Sequence, residues 1–157
     1  MKVLVIGSGG REHAICYQLS KSPKVTEIHA IPGNPGISKI GTCHNASVED
    51  LEYILKFVEE NKIDLTVVGP EVPLCMGLSD LLESHGHKVF GPCKNAAILE
   101  GSKSFSKDFM KRHHIPTANY ANVDNYDDAV KELKNFSYPV VVKADGLAAG
   151  KGVVICE

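Results

Sequence analysis

The chain has 157 residues, enough for one domain or for one domain and a piece of another, and long enough to bury a real core. Hydrophobic content of 43%, charged content of 23% and 14 Gly are ordinary for a soluble α/β protein. The formal net charge of -2 supplies no broad basic field, so nucleic acid and acidic membranes are excluded as general partners and any anion site must be local.

The opening MKVLVIGSGG is too short an apolar run for a signal segment or a bilayer span. Lys2 to Ile6 reads instead as a buried strand that enters Gly7-Ser8-Gly9-Gly10, and Arg11 to Ser20 reads as a helix with Ala14, Ile15 and Leu19 on one face. Thr26 to Ile31 is a second strand, ended by the punctuated loop Pro32-Gly33-Asn34-Pro35-Gly36. Ser47 to Glu60 is a helix in which Ser47 is the expected N-cap. Asp64 to Val68 is a third strand running into Gly69-Pro70-Glu71. Leu74 to His85 is expected as one helix, and Lys88 to Phe90 as a short fourth strand.

Strands alternating with helices at this spacing require right-handed crossovers and a mostly parallel sheet. The carboxyl ends of its strands, at Gly7, Ile31, Val68 and Phe90, each lead into a loop containing glycine or proline, which gathers a crevice on one sheet edge.

After about residue 101 the texture changes. Ser102 to His114 is a capped helix with Phe105, Phe109 and Met110 on its apolar side, and Tyr126 to Asn135 is another, with Val130 and Leu133 facing inward. Pro139 to Ala144 is a strand, Asp145 to Gly152 a glycine-rich loop and Val153 to Cys156 the start of a further strand. The division expected is therefore 1–101 for a first, parallel-sheet α/β domain and 102–157 for the incomplete start of a second.

Cys16, Cys43, Cys75, Cys93 and Cys156 are scattered without C-x-x-C or zinc spacing, which fits a reducing cytoplasm. His113 and His114 read as a solvated helix terminus rather than as metal ligands.

Three segments carry chemistry. In Gly7-Ser8-Gly9-Gly10-Arg11-Glu12, free backbone N–H groups and the helix dipole suit an anion. The segment departs from the dinucleotide fingerprint G-x-G-x-x-G because Glu12 stands where the third glycine belongs, and no acidic residue closes the second strand. In Val68-Gly69-Pro70-Glu71, a rigid loop holds one carboxylate, either for an amine or sugar hydroxyl or for the dipole of the following helix. In Val140 to Val153, a buried strand ends in Lys143, and a loop of small residues can close over a polyphosphate while Lys143 and Lys151 offset its charge. This is not a Walker A loop, since Gly152 stands where Ser or Thr is required.

Taken in order, Gly-Ser-Gly-Gly-Arg-Glu-His-Ala, Pro-Gly-Asn-Pro-Gly, Val-Gly-Pro-Glu-x-Pro-Leu, Leu99-Glu100-Gly101-Ser102-Lys103 and Val-Lys-Ala-Asp-Gly-Leu-Ala-Ala-Gly-Lys-Gly resemble the phosphoribosylamine–glycine ligase family of the ATP-grasp superfamily over essentially the whole chain. The resemblance implies a Rossmann-like domain followed by the start of an ATP-grasp domain, and an ADP-forming ligation of glycine to 5-phosphoribosylamine in purine synthesis. It implies a ribosyl-substrate site at Gly9, Gly10, Arg11, Glu12 and Glu71. ATP contacts are implied at Lys103, Lys143, Asp145, Gly146, Gly150, Lys151 and Gly152, with residues 145–152 as a lid. ATP and Mg2+ are the implied cofactors, with the magnesium-binding Glu and Asn of the family lying beyond Glu157, so that the chain alone is expected to be inactive. Three other readings remain open at this level: a nicotinamide dinucleotide oxidoreductase resting on the first glycine turn, a non-catalytic binding module, and a related ligase such as a biotin carboxylase.

Overall fold

A computed structural model describes residues 1–148 and 151–157. It divides into two compact units, Met1–Ala97 and Ile98–Glu157.

The first unit is built on a five-stranded sheet. Its strands are β1 (Lys2–Gly7), β2 (Glu27–Pro32), β3 (Thr42–Cys43), β4 (Leu65–Val68) and β5 (Val89–Phe90), in the order β3-β2-β1-β4-β5. Every pairing is parallel, with Val5 opposite Ala30 on one side and Val67 on the other. Helices cover both faces, which is why β1 is a continuous apolar run rather than an alternating one. On one face Leu4, Ile6, Ile31 and Val68 pack with Ile54, Phe57 and Val58 of α2 (Leu51–Asn61) and with Leu78 and Leu82 of α4 (Leu78–Ser84). On the other, Val3, Val5, Ile28, Ala30 and Val67 pack with Ile37 and with Cys16 of α1 (Gly10–Ser20). Burying each Leu or Ile of this kind contributes about 1.5–3 kcal/mol, so the central strand is anchored on both sides and its carboxyl end is a fixed platform.

Local chemistry shifts several boundaries. α2 begins at Leu51 rather than near Ser47, because Asp50 caps it by accepting from Tyr53 N at 3.0 Å. Ser47 Oγ instead accepts from Glu49 N in the preceding turn. The expected helix from Leu74 to His85 is two helices, α3 (Glu71–Met76) and α4, separated by Gly77 with φ +99°. A left-handed residue there ends one helix and turns the chain into the next. Glu71 is thereby the first residue of α3 rather than part of the loop before it. A two-residue edge strand, β3, and the helix α5 (Lys94–Gly101) were not expected from the pattern.

In the second unit α6 (Lys103–Arg112) has the expected cap, with Ser102 Oγ accepting from Phe105 N at 3.1 Å. α7 (Tyr126–Leu133) is capped by Asn125, and Val130 is exposed rather than inward-facing. β6 (Val140–Lys143) and β7 (Val153–Cys156) form an antiparallel pair that sets Lys143 opposite Val153. The strand expected to be buried is open to solvent: Val142 is 51% exposed, Val154 60% and Ile155 65%.

Candidate functional site

The loops after β1, β2 and β4 leave the sheet on the same edge and are tied together by backbone hydrogen bonds. Gly33 N donates to Gly7 O and Gly69 N donates to Ile6 O, each at 3.1 Å. α1 starts directly from the first of these loops. The first N–H donated within this helix is that of His13, to Gly9 O, so the N–H groups of Gly10, Arg11 and Glu12 have no acceptor in the helix backbone. A Cβ added at Gly10 would meet nothing within 4 Å.

Glu12 occupies the space beneath this turn. Its side chain is only 5% exposed; Oε2 accepts from Gly9 N at 2.7 Å and Oε1 from Arg11 Nε at 3.0 Å. Three glycines make room for it. A Cβ on Gly7 would stand 2.6 Å from Glu12 Cγ, one on Gly9 2.8 Å from Oε2, and one on Gly69 would meet Oε1 and lie 2.6 Å from Cγ. Where a dinucleotide fingerprint has a third glycine for close helix–strand packing, this turn has a carboxylate folded inward. Its buried charge is matched by a hydrogen bond and an ion pair, as such burial requires.

Arg11 points the other way. It is 63% exposed, and its Nη2 lies 3.7 Å from Glu71 Oε2 at the start of α3. The Glu12 hydrogen bond and charge, with a smaller contribution from Glu71, raise its pKa further and keep the guanidinium charged. Arg11 and Glu71 thus place a cation and a carboxylate side by side where the loops after β1 and β4 meet. Such a pair can recognise an anionic group and a hydroxyl or amine together.

Two contributors were not singled out from the sequence. Asn34 Nδ2 donates to Ser8 O at 2.8 Å and to Gly9 O at 3.4 Å, while its Oδ1 accepts from Gly36 N at 2.8 Å and Ile37 N at 2.9 Å. The His13 ring packs against Gly36, where a Cβ would collide with it. The signal was an Asn between two Pro-Gly pairs, since Asn commonly bonds backbone two residues onward. Its reach across to a different loop is not visible in one dimension.

In the second unit the loop after β6 is fastened to the start of α6. Asp145 Oδ1 accepts from Lys103 N at 2.6 Å and Ser104 N at 3.2 Å, and Oδ2 from Ser102 Oγ at 3.1 Å. These donors, with the Ser104 N–H foremost, hold the Asp145 carboxyl down to about 2. Lys103 Nζ donates to Gly146 O at 2.6 Å, and Gly146 itself has φ +85°. The hairpin closes through Ala144 N to Gly152 O at 2.7 Å and Lys151 N to Ala148 O at 2.8 Å. Gly152 lies against Ala144 and Ala148, where a Cβ would come within 3.0 Å of both methyl carbons. Lys103, Lys143, Asp145, Gly146, Lys151 and Gly152 therefore all belong to one unit and to the hairpin or the helix start tied to it. Gly150, named with them from the sequence, lies outside the described residues.

Among the described residues no three His, Cys, Asp or Glu side chains gather where they could hold a metal ion. No described helix is long and apolar enough to cross a membrane.

Comparison with known proteins covers both units. Residues 1–100 match the model of the phosphoribosylglycinamide synthetase N domain, and residues 101–157 match that of the phosphoribosylglycinamide synthetase ATP-grasp (A) domain. Phosphoribosylamine–glycine ligase of Clostridium acetobutylicum is 52% identical over 157 residues, covering 100% of this chain and 38% of its own length. The crystal structure of phosphoribosylamine–glycine ligase from Thermotoga maritima aligns with TM-score 0.78 at 38% identity, covering 99% of this chain and 36% of that one. The biotin carboxylase domain of Hydrogenobacter thermophilus 2-oxoglutarate carboxylase, solved with ADP magnesium salt, aligns with TM-score 0.78 over 99% of this chain and 37% of that one. At 24% identity it shows the shared fold alone. The chain thus spans 38% of the length of the curated relative from Clostridium acetobutylicum. A match over both units displaces the dinucleotide oxidoreductase reading, which rested on the first turn alone: this chain belongs to the phosphoribosylglycinamide synthetase family, a family of ligases, and carries its N domain and the opening of its ATP-grasp domain.

Proposed function

We propose that this chain provides the ribosyl-substrate crevice and the phosphate-side loop of an ATP-dependent carbon–nitrogen ligase that joins glycine to 5-phosphoribosylamine, giving glycinamide ribonucleotide, ADP and phosphate. The observation that carries the reading is the Arg11–Glu71 pair at the open start of α1, in a chain that matches the family throughout. The N–H groups of Gly10 and Arg11, the Arg11 guanidinium and the glycine backbone at Gly9 suit the substrate phosphate. Glu71 suits a ribose hydroxyl or the amine. Glu12 serves the same site from beneath, shaping the turn rather than touching the substrate.

Lys103, Lys143 and Lys151 are the charges that would face ATP phosphates, with Gly146 and Gly152 letting backbone approach them. Phosphoryl transfer depends mainly on positioning and charge neutralisation, which is what lysines at a hairpin can supply. Asp145 holds this hairpin to α6 and gives Lys103 a defined starting position. ATP activates the glycine carboxylate as an acyl phosphate, whose carbon the amine of 5-phosphoribosylamine attacks with release of phosphate; exclusion of water by the 145–152 loop protects that species from hydrolysis. Magnesium accompanies ATP in this reading, but no step is assigned to it through the residues of this chain. The reading places the protein in the cytoplasm, where its cysteines stay reduced.

The test is an NMR titration of the labelled chain with ribose 5-phosphate and, separately, with ATP. Ribose 5-phosphate should shift the amides of residues 9–11 and 71, and ATP those of residues 103 and 143–152. Ribose 5-phosphate binding that survives in Arg11→Ala with unchanged affinity would remove the crevice from the reading.

A further inference from the structure

The peptide unit joining Ser8 to Gly9 is held at both polar ends by side chains from different elements. Its carbonyl accepts from Asn34 Nδ2 at 2.8 Å, and its N–H donates to Glu12 Oε2 at 2.7 Å. The carbonyl of the next unit, Gly9 O, accepts from His13 N at 3.1 Å and from Asn34 Nδ2 at 3.4 Å. The plane of the peptide immediately before the unsatisfied N–H groups of Gly10 and Arg11 is thus fixed from above by the loop after β2 and from below by α1. A turn with glycine at two successive positions, Gly9 and Gly10, is otherwise soft, because its backbone is free to rotate.

We infer that Asn34 is a positioning residue for the phosphorylated ribosyl substrate, acting through the Ser8–Gly9 peptide that it and Glu12 clamp, and so setting the direction in which the Gly10 and Arg11 N–H groups point. This rests on the ribosyl reading given above. Asn34 divides its labour: Oδ1 shapes its own loop through Gly36 and Ile37, while Nδ2 alone reaches the turn after β1. The two roles are separable by substitution. A serine at 34 keeps a short acceptor for the Gly36 N–H but has nothing that reaches Ser8 O. Ser38→Ala is the matched control, since Ser38 Oγ donates to Pro35 O at 2.9 Å within the same segment and makes no bond to the glycine turn.

The experiment measures thermal melting, Gly9 amide exchange without ligand, and ribose 5-phosphate affinity for the 157-residue chain and both variants. Asn34→Ser should speed Gly9 exchange and weaken ribose 5-phosphate about tenfold, the effect of losing one well-placed hydrogen bond. Ser38→Ala should lower the melting temperature comparably while leaving both other readouts as in the wild type. Wild-type affinity in Asn34→Ser, or an equal loss in Ser38→Ala, overturns the inference and leaves the ribosyl reading standing. A wild-type chain that does not bind ribose 5-phosphate overturns both. If Asn34→Ser does not fold, Asn34→Asp at high salt retains the acceptor and lacks the donor, and undiminished affinity there is equally fatal.

Discussion

The backbone N–H of Lys103 donates to the carboxylate of Asp145 at 2.6 Å, so that the first residue of α6 and the loop after β6 share one hydrogen-bonded junction. Asp145 was expected to face ATP. In the structure its oxygens are engaged by Ser102, Lys103 and Ser104, where an anion at a helix start is favoured by the dipole and by unpaired N–H groups.

This junction should be acid-sensitive in a defined window. The Asp145 carboxyl is lowered from the usual 3.8 to about 2, so its contribution to stability is complete above 3.8 and is lost as pH falls through about 2. The protection of the Lys103 and Ser104 amides, taken relative to the intrinsic exchange rate at each pH, should fall as pH drops through that window. Asp145→Asn should make exchange there fast already at neutral pH and abolish the acid dependence; retention of it would assign the transition to another group.

A second pH dependence belongs to the sheet edge. His29 Nδ1 and His44 Nε2 are 3.1 Å apart, so one ring must donate and the other accept, and both cannot be charged without conflict. The surrounding groups are Phe57, whose ring centroid is 4.4 Å from that of His44, and Glu27, whose Oε2 is 3.4 Å from His29 Nε2 and whose Oε1 is paired to Lys2. Burial, and then the neighbouring His29, lower the His44 pKa from 6.5. A lowered imidazole stabilises the fold above its unfolded value, and that stability is lost as pH falls below it. The urea midpoint of the first unit should therefore fall as pH drops below about 6.5. His44→Phe should flatten the dependence, and an unchanged slope would absolve the pair.

Glu12 and Gly69 should behave as one unit. Glu12→Ala removes a buried, charge-assisted bond to Gly9 N and should cost about 1.5–3 kcal/mol. Gly69→Ala forces a methyl into the Glu12 carboxylate and should cost about 1–3 kcal/mol by overpacking. The double variant should be more stable than the sum of the two losses predicts, by about 0.5 kcal/mol or more. Strict additivity in denaturant unfolding would mean that Gly69 is required for some other reason.

For the phosphate-side lysines, Lys143→Ala should reduce ATP affinity of the chain about tenfold, as expected for losing a charge-assisted hydrogen bond, and Lys143→Arg should reduce it less. Calorimetry on the three proteins decides this. Equal affinity throughout would take Lys143 out of the nucleotide site.

Much of the parallel sheet was legible because β1 and β4 are buried on both faces, and a strand so placed must be apolar at nearly every position. That the loops after β1, β2 and β4 come together on one sheet edge followed from the alternation of strands and helices. Residues whose partners are distant in the chain were harder to read. An acidic residue in the first turn of a helix ordinarily faces solvent, and nothing near Glu12 in sequence announces that Gly69 leaves space for its side chain. Asn34 was visible as a turn residue but not as a link to Ser8. The flanks of Gly77 have helical spacing and hide the break, although its left-handed conformation separates α3 from α4. α5 leaves little periodic signal in the sequence because it buries only Ala97.

The β6–β7 hairpin also bears on how the protein behaves in a tube. Its two strands read Val-Val-Val-Lys and Val-Val-Ile-Cys, and most of their side chains are open to water, with Lys143 as the one charge among them. Apolar strands with open edges are templates for pairing between molecules. Self-association of the 157-residue chain should therefore begin at this hairpin, at concentrations where the doubly covered sheet of the first unit is still intact. Val154→Lys should raise the concentration at which light scattering appears without moving the melting temperature of that sheet.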